Sequence, residues 1–534
     1  MLRTTLLLSA LVVSGAGHLS AQQARPALGN AEVTAIAELL KLEDLRRFDE
    51  PTFTRLVRSS HPEVRRRAAV TVGRVVNEGG LAVLEPLKTD ADPEIVATAA
   101  FVMGQLKNPA VVDWLTTTMR AWQINTSAAF ESARALGKIR SPEARAALSE
   151  FLATVPDAPP SRRVVGETLL SLGRFTEPAD LAPILKWTSS SDVEVRWRAT
   201  WALFRPRNPA AVPHLLTLSK DASPEVRFWA VRGLAPQLID QLASPALTRD
   251  IASARLREAL KDSDRRVRTE ALRALAAFDD DASVAAVLAE LENPDTWMSV
   301  SAAETLGRHR ARVDQVRPRL EAATAATRPS ALRTVAQQQL TRLTAPPPEP
   351  APAGGRAGGR GGRAGVPPGS VGSQLGYVRT DTDYRAIVER WVVPAYNRAP
   401  NPRAIWTTPK GEIEIELFAA DAPLGMEELV RLTESGAIVG PAFTRVVPNF
   451  VAQQATIPGA NRLRDEVNRH GLTRANLAWA SSGLDTGRPG YTLGNTPQPH
   501  NEGDFTSLGR VVRGMDVVDR LDLGDAITAA RIVK

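Results

Sequence analysis

Between Phe443 and Gln453 the chain carries three side chains of complementary chemistry: the guanidinium of Arg445, the ring of Phe450 and the amide of Gln453. A guanidinium is always charged, planar and rich in donors, an aromatic ring offers an apolar seat, and an amide both donates and accepts. Such a set can bind and polarise a neutral group without bonding to it. The rest of the sequence narrows the field. There is no cysteine, which removes thiol catalysis, disulfides, cysteine-held zinc and iron–sulfur clusters. Among the six histidines, His61, His214 and His470 have no histidine at i, i+4 and no carboxylate motif for a metal, so neither metal nor cofactor is expected. The acidic pairs Glu427-Glu428 and Asp465-Glu466 read as a solvated helix face and a loop, not as acid–base machinery.

The elements that must position these residues are legible from periodicity. From Ile405 the apolar period is 2, and Glu412-Ile413-Glu414-Ile415-Glu416-Leu417 alternates strictly, which predicts a strand with one face in a core. After Pro423 a helix is expected over Met426–Ser435, burying Leu429 and Leu432 and stopping at Gly436. A second strand, Ala442–Val447, carries Arg445 and runs into Pro448-Asn449-Phe450-Val451-Ala452-Gln453.

The run Phe443–Gln453 resembles the cyclophilin segment that carries that family's active-site arginine, proline-pocket phenylalanine and glutamine. Four other stretches agree with it: Thr408-Pro409-Lys410-Gly411, Asp465-Glu466, Ala475–Ala480 and Leu508–Val518. The resemblance implies a closed antiparallel β-barrel with capping helices over residues 376–534. It also implies a peptidyl-prolyl cis–trans isomerase in which Arg445 is catalytic and Phe450, Val451, Gln453, Ala480, Ser481, Thr492, Asn501 and Phe505 bind substrate. The chemistry suits these residue types. Twisting an X–Pro amide faces a barrier of about 20 kcal/mol, and no covalent step is needed to lower it. A donor near the prolyl nitrogen, an apolar seat for the ring and a hydrogen bond to the flanking carbonyl suffice in kind.

The sequence departs from the family pattern at the pocket walls. Gln454-Ala455-Thr456 stands where two glycines and an acid are usual, and Gly490 and Thr492 stand where a glutamine and a pocket phenylalanine are expected. In His500-Asn501-Glu502-Gly503-Asp504-Phe505, Asn501 takes the position of a pocket leucine and Phe505 that of a histidine or tyrosine. Losing two apolar wall residues is expected to loosen proline binding by about 1–3 kcal/mol if nothing replaces them. Two functions therefore stand: an isomerase of reduced activity, or a non-catalytic protein-binding or chaperone scaffold with a degenerate domain.

At 534 residues the chain is too long for one core, and residues 22–344 read as a separate all-α unit. A phrase of turn, Val-Arg, two small residues and Leu-Gly returns with a period of about 31 residues, sharpest at His61–Arg65, Asp92–Val96, Asp192–Arg196, Ser223–Arg227 and Asp264–Arg268. These phrases resemble short HEAT-like repeats, which implies an α-solenoid whose arginines brace neighbouring turns and whose extended face takes a protein partner. Trp197 and Trp229 follow the Val-Arg pair in two repeats, which favours packing over a partner site. Residues 345–375 read as a Pro/Gly/Arg-rich flexible linker, with too few arginines and no aromatic to suggest nucleic acid as partner. Residues 1–21 have the layout of a signal peptide, so a periplasmic or secreted protein is expected, with no transmembrane segment. The expected partners are proline-containing client proteins or peptides.

Overall fold

The structure is a computed structural model that describes residues 25–176, 180–242, 247–345, 377–481 and 484–533. The expected signal peptide, and the expected linker apart from Ala345, lie outside the described residues.

The repeats form two layers of helices. One layer consists of Asn30–Asp44, Pro62–Val75, Pro93–Leu106, Thr126–Ile139, Pro159–Leu172, Val193–Phe204, Pro224–Arg232, Arg265–Leu275, Thr296–Leu306 and Ser330–Thr344, each packed on the next. The other is built of shorter helices such as Val112–Arg120 and Val212–Leu218. Asp92, Asp192, Asp264 and Asp295 cap helix starts by accepting a backbone N–H two residues on, which explains the acidic turn in each repeat. Small residues let the layer close up: a Cβ on Gly104 would lie 2.7 Å from the Ala135 backbone. The repeat arginines brace the turns as expected. Arg65, Arg196 and Arg227 pair with Asp90, Asp221 and Asp262 at 2.7, 3.2 and 2.7 Å. Each also donates to the carbonyl of the residue six positions earlier in its own repeat. Trp187, Trp197, Trp201 and Trp229 are all buried, so the packing reading holds.

The C-terminal unit is an eight-stranded antiparallel sheet: β1 Arg403–Thr408, β2 Gly411–Leu417, β3 Phe443–Val447, β4 Val451–Gln454, β5 Asn476–Ala480, β6 Arg488–Gly494, β7 Gly509–Arg513 and β8 Ala529–Val533. The order is β3-β4-β6-β5-β7-β2-β1-β8. Its two outer ends meet through the bridge Ala442↔Ala526 and the bond from Phe443 N–H to the Asp525 carbonyl at 2.7 Å, which curls the sheet into a barrel and covers its edges. Ile413, Ile415 and Leu417 point into the core while the glutamates between them face out. One end is capped by the helix Pro423–Glu434, which stops before Gly436 at φ +73°. The second cap, Met515–Val518, is a single turn.

Sequence reading treats the two units as tethered; the structure docks them. Tyr377, Arg379 and Tyr384 all donate to the Asp44 carboxylate at the end of the first solenoid helix, at 2.6, 2.8 and 2.8 Å. Tyr384 belongs to an unanticipated run of three helical pieces before β1, Asp381–Ile387, Val388–Val392 and Val393–Tyr396, of which the first two pack on that first solenoid helix. Arg46, buried, makes a bidentate pair with Asp485 and donates to the Asp465 carbonyl at 2.6 Å. Arg74 donates to the carbonyls of Val467, Asp421 and Glu466. At the far end of the array, Trp297 Nε1 donates to the Leu521 carbonyl and Arg265 to that of Asp519. One small barrel thus touches repeats near both ends of the array through a single helix layer, so the array curves around it. The described chain leaves the last repeat at Ala345 and resumes at Tyr377, against the first.

The acidic pairs are also placed. Asp465 and Glu466 lie in a loop, as expected, and are buried because that loop is pressed between barrel and solenoid. The Glu466 carboxylate accepts the N–H groups of Leu424 and Gly425 at a helix start, at 3.0 and 2.7 Å. Burial pushes Glu466 up to about 8 and, together with the neighbouring Asp485 charge, Asp465 up to about 7. The solvated face expected at Glu427-Glu428 is corrected: Glu428 is buried, accepting from Arg431 and Asn461, and Glu427 receives Trp391 Nε1.

Candidate active site

Arg445 lies on β3 opposite Gln453 on β4, Gln453 lies opposite Thr492 on β6, and Thr492 lies opposite Ala478 on β5. The register therefore lines these four side chains up in one row across the sheet. Arg445 is exposed, and its Nη1 donates to Gln453 Oε1 at 3.2 Å, which uses one of five donors and aims the planar head. The guanidinium carbon stands 5.2 Å from the centre of the Phe450 ring. Val451 is two residues before Gln453 and shares its face.

Phe450 enters β4 from the turn Pro448-Asn449-Phe450. Its N–H donates to the Val447 carbonyl at 3.0 Å, and its own carbonyl accepts from Asn495 N–H and Gln498 Nε2, both at 3.2 Å. Asn449 sits at φ +58°, a conformation asparagine tolerates better than most residues. The ring is half-buried and stacks with His500 at 6.4 Å between centres. His500 was not among the expected site residues. The signal available was its place one residue before Asn501, in a loop already assigned to the pocket wall.

The expected residues divide into two groups. Arg445, Phe450, Gln453, Val451 and Thr492 are brought together by strand register and contact. Asn501 joins them at one remove, donating to Gln498 Oε1 at 2.9 Å and so holding the amide that reaches Phe450. Ala480 ends β5 and Ser481 follows it, and the residue facing Thr492 is Ala478. Phe505 is half-buried further along the same loop, while the ring over Phe450 belongs to His500.

The departures from the family pattern have local causes. A Cβ on Gly490 would lie 2.5 Å from the Gln454 carbonyl oxygen, so no glutamine fits there. Gln454 is buried and donates to the carbonyls of Ile438 and Pro441, stapling β4 to the loop before β3. Thr492 ties its hydroxyl to the Ala478 carbonyl at 3.2 Å, leaving a methyl where a ring would stand.

The C-terminal unit is thus a curled antiparallel barrel that presents a guanidinium beside a half-buried aromatic ring, the fold and residue pair that the resemblance to cyclophilins leads one to expect. Comparison with known proteins agrees. The model for cyclophilin type peptidyl-prolyl cis-trans isomerase/CLD matches residues 404–534, and that for HEAT repeats matches residues 50–132, 82–170, 181–254 and 253–341. The chain is 31% identical over 139 residues to a peptidyl-prolyl cis-trans isomerase of Synechococcus elongatus, covering 24% of this chain and 96% of that one. It is 34% identical over 132 residues to one of Helicobacter pylori, covering 22% and 80%. With peptidyl-prolyl cis-trans isomerase B of Bacillus subtilis it shares 30% over 129 residues, covering 23% and 90%. The chain belongs to the cyclophilin-type peptidyl-prolyl cis-trans isomerases through its C-terminal domain, which it joins to an N-terminal array of HEAT repeats. Among the described residues no helix is long and apolar enough to cross a membrane.

Proposed function

We propose that this isomerase is exported and turns X–Pro bonds in client proteins, with Arg445 as the donor to the prolyl nitrogen. As the amide twists, its resonance is lost and the nitrogen lone pair localises, so a fixed N–H aimed there stabilises the twisted state more than either planar one. Phe450 seats the pyrrolidine ring with Val451 beside it and His500 across it, and Gln453 orients both Arg445 and a substrate carbonyl. The observation that carries this reading is the Arg445 head held by Gln453 over the open side of the Phe450 ring.

The methyl of Thr492 in place of an aromatic wall supports weaker proline binding with the donor intact. Because one helix layer of the solenoid is occupied by the barrel, the protein-binding role is assigned to the other layer and to the rims. A client held there meets the site at raised effective concentration. Export is assigned to residues 1–21, with a periplasmic or secreted destination. The test is exchange spectroscopy on a proline peptide with the full chain: faster exchange is expected. Binding without faster exchange makes the domain a recognition module.

A further inference from the structure

We infer that the solenoid shapes the proline seat: Glu270, acting through Asn449, and Lys138, acting through the 498–503 loop, are positioning residues for the isomerase. This rests on the reading of Phe450 as the seat of the ring.

The two walls of the seat are loops, and each is fastened to a different solenoid helix. On one side, Asn449 immediately precedes Phe450 and is buried against the helix Arg265–Leu275. Its Nδ2 donates to the Arg266 carbonyl at 2.8 Å and to Glu270 Oε1 at 3.0 Å, so both hydrogens of the amide go to the solenoid. Its carbonyl accepts from Thr496 Oγ1 at 2.8 Å. Glu270 is itself held by Arg232 and Arg273, at 3.2 and 3.1 Å. A left-handed turn at a non-glycine residue costs energy and persists where its surroundings enforce it; here the side chain is enforced by solenoid groups and the carbonyl by Thr496.

On the other side, the turn Pro499–Asn501 carries the His500 ring that stacks on Phe450. The next two residues are locked to the helix Thr126–Ile139 and its neighbour. Glu502 is buried between Arg134 at 3.8 Å and Arg174 at 4.0 Å, and Lys138 Nζ donates to the Gly503 carbonyl at 3.1 Å. Gly503 is at φ +75°, and a Cβ there would lie 1.8 Å from Lys138 Nζ, so the lysine head fits only against bare backbone. The helices holding the two walls belong to repeats well apart in the array. The gap between Phe450 and His500 is therefore set by the curvature of the solenoid as well as by the barrel.

The experiment uses the full chain and measures, by NMR titration and exchange, proline-peptide affinity and turnover at saturation. Glu270→Ala and Lys138→Met are each expected to weaken binding at least fivefold with turnover changed less than twofold. Glu270→Gln, which keeps an oxygen for Asn449, restores affinity to within twofold of wild type. A merely structural role would lower the active fraction and the melting temperature and leave affinity unmoved. Phe450→Ala separates the two claims. If it fails to weaken binding, the seat reading falls; if it weakens binding while Glu270→Ala and Lys138→Met bind as wild type, the inference alone is overturned. Should Glu270→Ala not fold, Lys138→Met decides by the same criterion.

Discussion

Replacing Arg445 by alanine removes the guanidinium held over the Phe450 ring, and the structure sets the size of the effect. In closed active sites, deleting a preorganised donor costs about 2.7–4 kcal/mol in the transition state. Arg445 is exposed, so water screens part of that, and a loss of about tenfold to a hundredfold in kcat/KM is expected, about 1.4–2.8 kcal/mol. Ground-state binding changes less. The guanidinium stands 5.2 Å from the Phe450 ring, an exposed cation–π contact worth about 0.5–1 kcal/mol, so affinity drops by no more than about fivefold. Arg445→Lys sharpens the test. Lysine keeps the charge but has no planar fork with which to hold Gln453 and reach the substrate together, so most of the loss is expected to remain. The assay is line-shape and exchange analysis of a proline tetrapeptide with full-length protein, which reads affinity and turnover separately. Arg445→Ala retaining kcat/KM within threefold of wild type would refute the donor mechanism, and wild-type activity in Arg445→Lys would reduce it to bulk charge.

Three further outcomes are expected. Proteolysis between residues 346 and 376 is expected to nick the chain while the two fragments co-elute on gel filtration, because buried contacts such as the Arg46–Asp485 pair and those of Arg74 with the Val467 and Glu466 carbonyls cross between them; separation under native conditions would contradict the docking. Stability falls as pH rises from about 4 to 7 through Asp465, whose carboxyl is at about 7 in the fold against 3.8 in the open chain and so holds a proton there that the unfolded state lacks. Asp465→Asn can still accept from Asp485 N–H and donate to Thr506 Oγ1, and chemical denaturation across that range should show a shallower slope; an unchanged slope would mean Asp465 is not the titrating group. Intact mass of protein from the host envelope should lack the first 21 residues, and retention of Met1 would count against export.

The sequence by itself determined what is local. The period-2 run at Glu412–Leu417 became β2 with its isoleucines inward, and the Val-Arg repeats became a solenoid whose arginines bridge successive turns. Both follow because the side-chain period and the next repeat lie within a few residues or one repeat length. The row Arg445–Gln453 was legible for the same reason: two strands joined by a short turn fix their own register. What only the tertiary structure decided involves residues hundreds of positions apart. Asp465-Glu466 has the composition of a wet loop, and it is buried because Arg46 and Arg74 arrive from the first repeats. Ala480 faces Arg488 rather than Gly490 because the β5–β6 register shifts between Trp479 and Ala480. His500 stacks on Phe450 from a loop that is pinned at Glu502 and Gly503 by Arg134, Arg174 and Lys138. Burial of a charge depends on which partner the fold delivers, and no periodicity in the chain records that delivery.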